Sequence, residues 1–262
     1  MSAGCENGSA TVPEDAGVQE AMKDLEKGLR SGKDDCATLL YDAVNVSMIV
    51  SKFEKTDTKP FLPQDAFERI WSTIAGDEKS RCDNILKLMD IQLNGSNEDD
   101  RELANYILKS AKKIFLVAIW MGVDQLRAAM KLFQIFQFED ENLPIKEWTG
   151  TKFKLAPGDH QFVRMEESRG NNRKRIWNLR TITDFQVGQW IFLAPTISTS
   201  DQNRSFGNGY PIPFITRDEK RSSGAHGIVY KYGIHPAHFM SLPDSVSESC
   251  YLRLYSQAYD IP

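Results

Sequence analysis

Residues 98–122 read EDDRELANYILKSAKKIFLVAIWMG, and their periodicity decides what kind of fold surrounds them. The first turn is acidic, as the positive end of a helix dipole favours. Leu103, Ile107, Ala111, Ile114 and Ala118 then recur three or four residues apart on one side, the spacing of a buried helix face. From Ile114 to Met121 the chain is apolar all round, far short of the roughly 20 residues that cross a bilayer. The pattern predicts one helix of about 25 residues at the centre of a bundle.

The flanking segments repeat the period. DAFERIWSTIA (65–75) places Phe67, Ile70, Trp71 and Ile74 on one face before Gly76. RCDNILKLMDIQL (81–93) does the same with Ile85, Leu88, Met89 and Leu93, and Asn94-Gly95 closes it. DQLRAAMKLFQIFQF (124–138) starts at Asp124, a good N-cap, and turns Leu126, Met130 and Phe133 inward. Upstream, Cys36, Leu39, Ala43, Val46, Val50 and Phe53 form a stripe of about two and a half heptads. That is too short for a coiled coil, so packing onto its own domain is expected. Residues 18–32 have a helical look that stops at Gly32, and Lys55 to Pro63 reads as a connector.

After Leu143-Pro144 the texture changes. QFVRM (161–165), QWIFLAPTI (189–197) and PIPFI (211–215) read as strands or extended segments between Gly, Asn and Ser clusters. The expected fold is mainly α: a helical bundle followed by a small, irregular β-containing region. In order, the expected parts are a flexible segment (1–34), the bundle (35–145), a β- and loop-rich extension (146–215), a glycine-loop segment (216–239) and a divergent tail (240–262).

Composition narrows the functional classes. With 41% apolar residues the chain can bury a substantial core, and 32 Lys and Arg against 36 Asp and Glu give no dedicated nucleic-acid binder. The basic stretch RGNNRKRIWNLR (169–180) reads as a solvated loop, with a nuclear-import or phosphate patch as the alternative. Cys5, Cys36, Cys82 and Cys250 are dispersed, without C-x-x-C spacing, and the start MSAGCENGSATVPEDAG lacks the features of a secretory signal. An intracellular location, cytoplasmic or nuclear, and no membrane span are expected.

The chemistry is concentrated near 221–239, RSSGAHGIVYKYGIHPAHF. Against the phosphate-covering pattern G-x-G-x-x-G-x-V, Ser222 replaces the first glycine while Gly224, Gly227 and Val229 match. Glycines let a hairpin backbone approach phosphates, and the valine would cover adenine. His235 and His238 are three apart, but Pro236 lies between them and no third ligand is evident, so they read as loop histidines and not as a metal site. His160 sits in a turn without a nucleophile partner, and no serine stands in a G-x-S-x-G elbow. Trp71 and Trp120 read as core; Trp148 and Trp177, flanked by charge, are the better candidates for interface anchors, with packing onto the bundle as the preferred reading.

The order Pro-Phe-Ile, glycine loop, then Ile234-His-Pro-Ala-His238 resembles the opening of the kinase domain in a group of fungal kinase-like proteins. Two upstream stretches are similar to ones that precede that domain: FEDENLPI (138–145) and WIFLAP (190–195). The resemblance spans about 65 to 239. It implies a Ser/Thr protein kinase context with ATP and magnesium, which also needs a lysine on a following strand, a catalytic-loop Asp and an Asp-Phe-Gly. None of these three follows His238 in this sequence. The preferred expectation is therefore a non-catalytic regulatory or interaction region with an unknown protein partner and no cofactor of its own. The alternative is an ATP-binding kinase homologue completed by further sequence or a partner.

Overall fold

The computed structural model describes residues 16–32, 35–53, 58–93, 96–123, 125–145, 147–149, 152–154, 162–164, 179–198, 206, 209–217, 222–224, 227–240 and 251–256. The fold is mainly α with small sheets. The bundle contains α1 (Ala16–Ser31), α2 (Cys36–Ser47), α3 (Gln64–Ala75), α4 (Arg81–Leu88), α5 (Glu98–Ser110), α6 (Lys112–Trp120), α7 (Leu126–Ile135) and α8 (Leu179–Gly188). Between α2 and α3, β1 (Ile49–Val50) pairs antiparallel with β2 (Pro60–Phe61). A three-stranded meander follows α7: β3 (Glu147–Thr149), β4 (Lys152–Lys154) and β5 (Phe162–Arg164). Next come β6 (Ile197–Ser198), β7 (Phe214–Arg217), β8 (Ser222–Gly224), β9 (Gly227–Ile234), β10 (Phe239–Met240) and β11 (Tyr251–Ser256).

The expected 25-residue helix is two helices. Ala111, at φ −132° and ψ 37°, breaks it between α5 and α6. The apolar phase survives the break, because Leu103, Ile107, Ala111, Ile114 and Ala118 are all buried. Sequence periodicity reports which residues face inward, and a one-residue kink leaves that report unchanged. The whole of Ile114 to Ile119 is buried, which makes α6 the centre of the bundle.

Several element limits differ from expectation. α1 belongs to the bundle, with Leu25 and Leu29 in its core, so the bundle begins well before residue 35. α2 stops at Ser47, and its inward face carries Leu40, Ala43 and Val44; Val46 and Val50 are exposed. The extended backbone of Met48 leads directly into β1, which takes Val50 off the helical stripe. α4 ends at Leu88 with Asp90 in the left-handed region, and Leu93 is exposed. α7 begins at Leu126 after a left-handed Gln125; Asp124 lies outside the described residues. Gly76 closes α3 at a φ of 51°, where a side chain would be strained.

The extended reading of QWIFLAPTI is corrected for its first half: Gln189–Phe192 form a 3-10 turn continuing α8, and only Ile197–Ser198 form a strand. α8 itself was hidden because its period is carried by only Ile182 and Phe185, both buried in the bundle core beside residues from 25 to 145.

A four-stranded sheet has β9 at its centre. β11 runs antiparallel along one side over Tyr251↔Gly233 to Ser256↔Ile228. β7 and β8 share the other side. A small second core of Ile197, Phe214, Tyr232 and Ile234 lies on this sheet, with Phe53 and Phe239 against it.

Candidate functional site

The glycine segment is a hairpin. Gly224 pairs with Gly227 and Ser222 with Val229. Residues 225 and 226, the second of them His226, lie outside the described residues. At its other end β9 runs into Ile234 and His235, roughly 23 Å away for seven residues of extended chain. That far end is fastened to the bundle.

His238 is the fastening. Its Nε2 lies 3.0 Å from the backbone N of Gln64, the first residue of α3. Its Nδ1 lies 3.2 Å from the carbonyl oxygen of Pro195. A backbone N–H only donates and a carbonyl only accepts, so the ring is neutral with its proton on Nδ1. Pro63 precedes α3 and offers no side-chain cap; the imidazole supplies one from 174 residues away. His238 is 2% exposed. Burial, with His235 alongside, pushes its pKa down to about 4. The nearby His235 is buried and also shifted down by burial, and its Nδ1 accepts a bond from the N–H of Ala237, opening the 3-10 turn Pro236–His238. Both rings meet the edge or face of Phe61 at 5.6 to 6.2 Å between centroids.

The other two motif stretches reach the same junction. In FEDENLPI, the Asp140 carboxylate accepts from the N–H groups of Lys113 and Ile114 at 2.9 and 3.0 Å, capping α6 at the break after Ala111. Burial raises the Asp140 carboxyl, opposed by those two N–H groups. Tyr106 donates its hydroxyl to the carbonyl of Phe138, and burial beside Asp140 and Glu139 pushes that phenol up. At the end of this stretch the buried side chain of Gln189 pairs with the backbone of Ile145: its Oε1 accepts from N–H at 2.7 Å and its Nε2 donates to C=O at 2.9 Å. Nε2 also donates to Gln186. In WIFLAP, the Ile191 carbonyl accepts from Leu62 at 2.9 Å, and Pro195 accepts from His238. The connector 58–63 is thus held between WIFLAP and the two histidines.

A second set of bonds ties the sheet to the segment 51–53 that follows β1. Lys52 N–H donates to Phe214 and the Ser51 hydroxyl to Ile212. The Phe53 carbonyl accepts from the Tyr232 hydroxyl at 3.3 Å and from Arg217 at 3.4 Å. The Phe53, Phe214 and Tyr232 rings pack together, with Phe214 and Tyr232 stacked at 4.6 Å.

No family model, curated protein or solved structure matches this chain.

The expected site residues therefore divide. Gly224 and Gly227 sit opposite one another; the side chains of Ser222 and Val229 fall outside the described residues, though their backbones pair. His235 and His238 are buried caps and not exposed loop histidines, a difference due to tertiary contacts no spacing reveals. Among the described residues, no group of three His, Cys, Asp or Glu is placed to hold a metal ion, and no helix is long and apolar enough to cross a membrane. Trp71 is core, while Trp120 is half-buried and stacks on Tyr41 at a centroid distance of 6.4 Å. Trp148 pairs through its backbone with Phe153 in the meander, and Trp177 lies outside the described residues, as does most of the basic stretch. The residues that sequence reasoning missed are Asp140, Gln189 and Ser51, and Phe53, read as part of a helical stripe, packs on the sheet instead. Asp140 and Gln189 lie within or at the edge of stretches quoted for their pattern, but nothing in the sequence marks either as a partner of a distant backbone.

Proposed function

We propose that this chain is a non-catalytic regulatory or protein-interaction region of a kinase-like protein, in which the helical bundle sets the position of a glycine hairpin. The observation that supports this reading most is the junction: FEDENLPI, WIFLAP and IHPAH, far apart in sequence, meet through Gln189, Leu62 and His238. That junction holds one end of β9, and the hairpin is its other end. Phosphoryl transfer draws its rate from positioned lysine, carboxylates and metal, and no H-R-D or D-F-G occurs in these 262 residues.

A second reading, an ATP-binding kinase homologue, is favoured by the register that sets Gly224 against Gly227 and so keeps both of these positions bare of side chains. Calorimetry with Mg-ATP on the whole chain separates the two, with a Gly224→Val, Gly227→Val double variant as control. The first reading expects no saturable heat at a Kd below about 1 mM. Micromolar binding that the double variant abolishes would establish the second reading instead.

A further inference from the structure

The junction contains a device independent of what the hairpin binds. We propose that His238 is a proton-operated latch between bundle and sheet: its neutral ring ties the end of β9 to α3, and a proton on Nε2 unties it. The geometry leaves one outcome for protonation. Nε2 is the only acceptor that His238 offers to the Gln64 N–H, and once it carries a hydrogen two donors face each other. Nδ1 carries its hydrogen in either state, so of the two bonds that hold the ring it is the one to Gln64 that the proton breaks directly.

The surroundings decide how strongly the neutral form is held. On its own turn, His235 lies 6.1 Å away between ring centroids and opposes a second positive charge. From α3, Asp65 favours the proton, and from α6, Lys113 disfavours it. Phe61 presents its ring to His238 from β2. Asp65 is itself engaged by Arg69 at 3.8 Å, and the ring is sealed from water, so burial outweighs the one acidic neighbour. If opening the junction returns His238 to a free imidazole while the closed ring titrates near 4, linkage makes opening roughly 20-fold more favourable at pH 5 than at pH 7.

The test uses the full chain. Long-range nitrogen NMR of the imidazoles should show the His238 proton on Nδ1 at pH 7 and little protonation at pH 5. Hydrogen exchange at the Gln64 amide, corrected for intrinsic chemistry, should lose roughly 20-fold protection between those pH values. A His238→Asn variant should be less protected at pH 7 and lose the greater part of that slope, the remainder belonging to His235. An Nε2–H tautomer, a His238 titration near 6.5 in the folded protein, or an undiminished slope in the variant would each overturn the latch. Should the variant fail to fold, the NMR readings on the unmodified protein decide alone.

Discussion

Two pairs of helices in this bundle begin in different ways. α2 and α5 carry their caps in the adjacent sequence: Asp35 accepts from Ala37 and Thr38, and Asn97 exchanges bonds with Asp100 in a capping box. α3 and α6 have no such residue and receive theirs from a distance, His238 for the first and Asp140 for the second. A local cap stabilises one helix end. A remote cap also ties that end to another segment, so its loss disturbs two parts of the molecule. The chemistry of the remote caps differs as well. Burial favours the neutral form of both, which means an uncharged imidazole that keeps its acceptor, but a carboxylate held against its tendency to bind a proton.

The comparison can be broken by mutation. Asp140→Ala should have the largest effect, about 3 kcal/mol, because two backbone donors lose their partners at a buried helix start; chemical denaturation measures it. Substituting His238→Phe keeps the ring volume but orphans the Gln64 N–H and the Pro195 carbonyl, and should cost about 2 kcal/mol at pH 7.

The pH dependence sharpens the same contrast. His238 is depressed in the fold, so its contribution is fully present above about 6.5 and is lost as pH falls toward about 4, and the unmodified protein should lose up to roughly 3 kcal/mol over that window. Asp140 is raised in the fold and binds its proton more readily there than in the unfolded chain, so its titration does not add to that loss. Denaturation of the His238→Phe variant across the window should show the greater part of the slope gone. Asn97→Ala, which removes a local cap, should cost only about 1 kcal/mol, and the sheet amides at Lys52 and His235 should keep their exchange protection. If the local and remote variants proved equal, the distinction between the two kinds of cap would fail.

The legibility of the fold follows the same division. Features written within one turn of helix were readable: the inward faces of α3, α5 and α6, and the stop at Gly76. The break at Ala111 was not, because alanine is a strong helix former and nothing local interrupts the pattern; the Asp140 cap that completes it comes from 29 residues downstream. α8 was hidden by a short period and by polar neighbours. At the junction, sequence singled out the three stretches as words but not as partners, since Gln189 and Ile145 are 44 residues apart and His238 and Gln64 are 174 apart. The pairing of β11 with β9 was likewise invisible, because the six residues Tyr251–Ser256 are too short a run to name a partner strand.

The depth of Phe185 bears on how the chain is made. Its ring lies against Phe133 at 5.8 Å and is fully buried, and Ile191 and Phe192 share the same core. A growing polypeptide that has emerged only as far as residue 145 still lacks Ile182, Phe185, Ile191 and Phe192, side chains that share one core with those of α1 to α7. The bundle must wait, part-built, while the intervening meander and basic stretch are synthesised, and a piece cut at 145 should be far less soluble than one cut after 195.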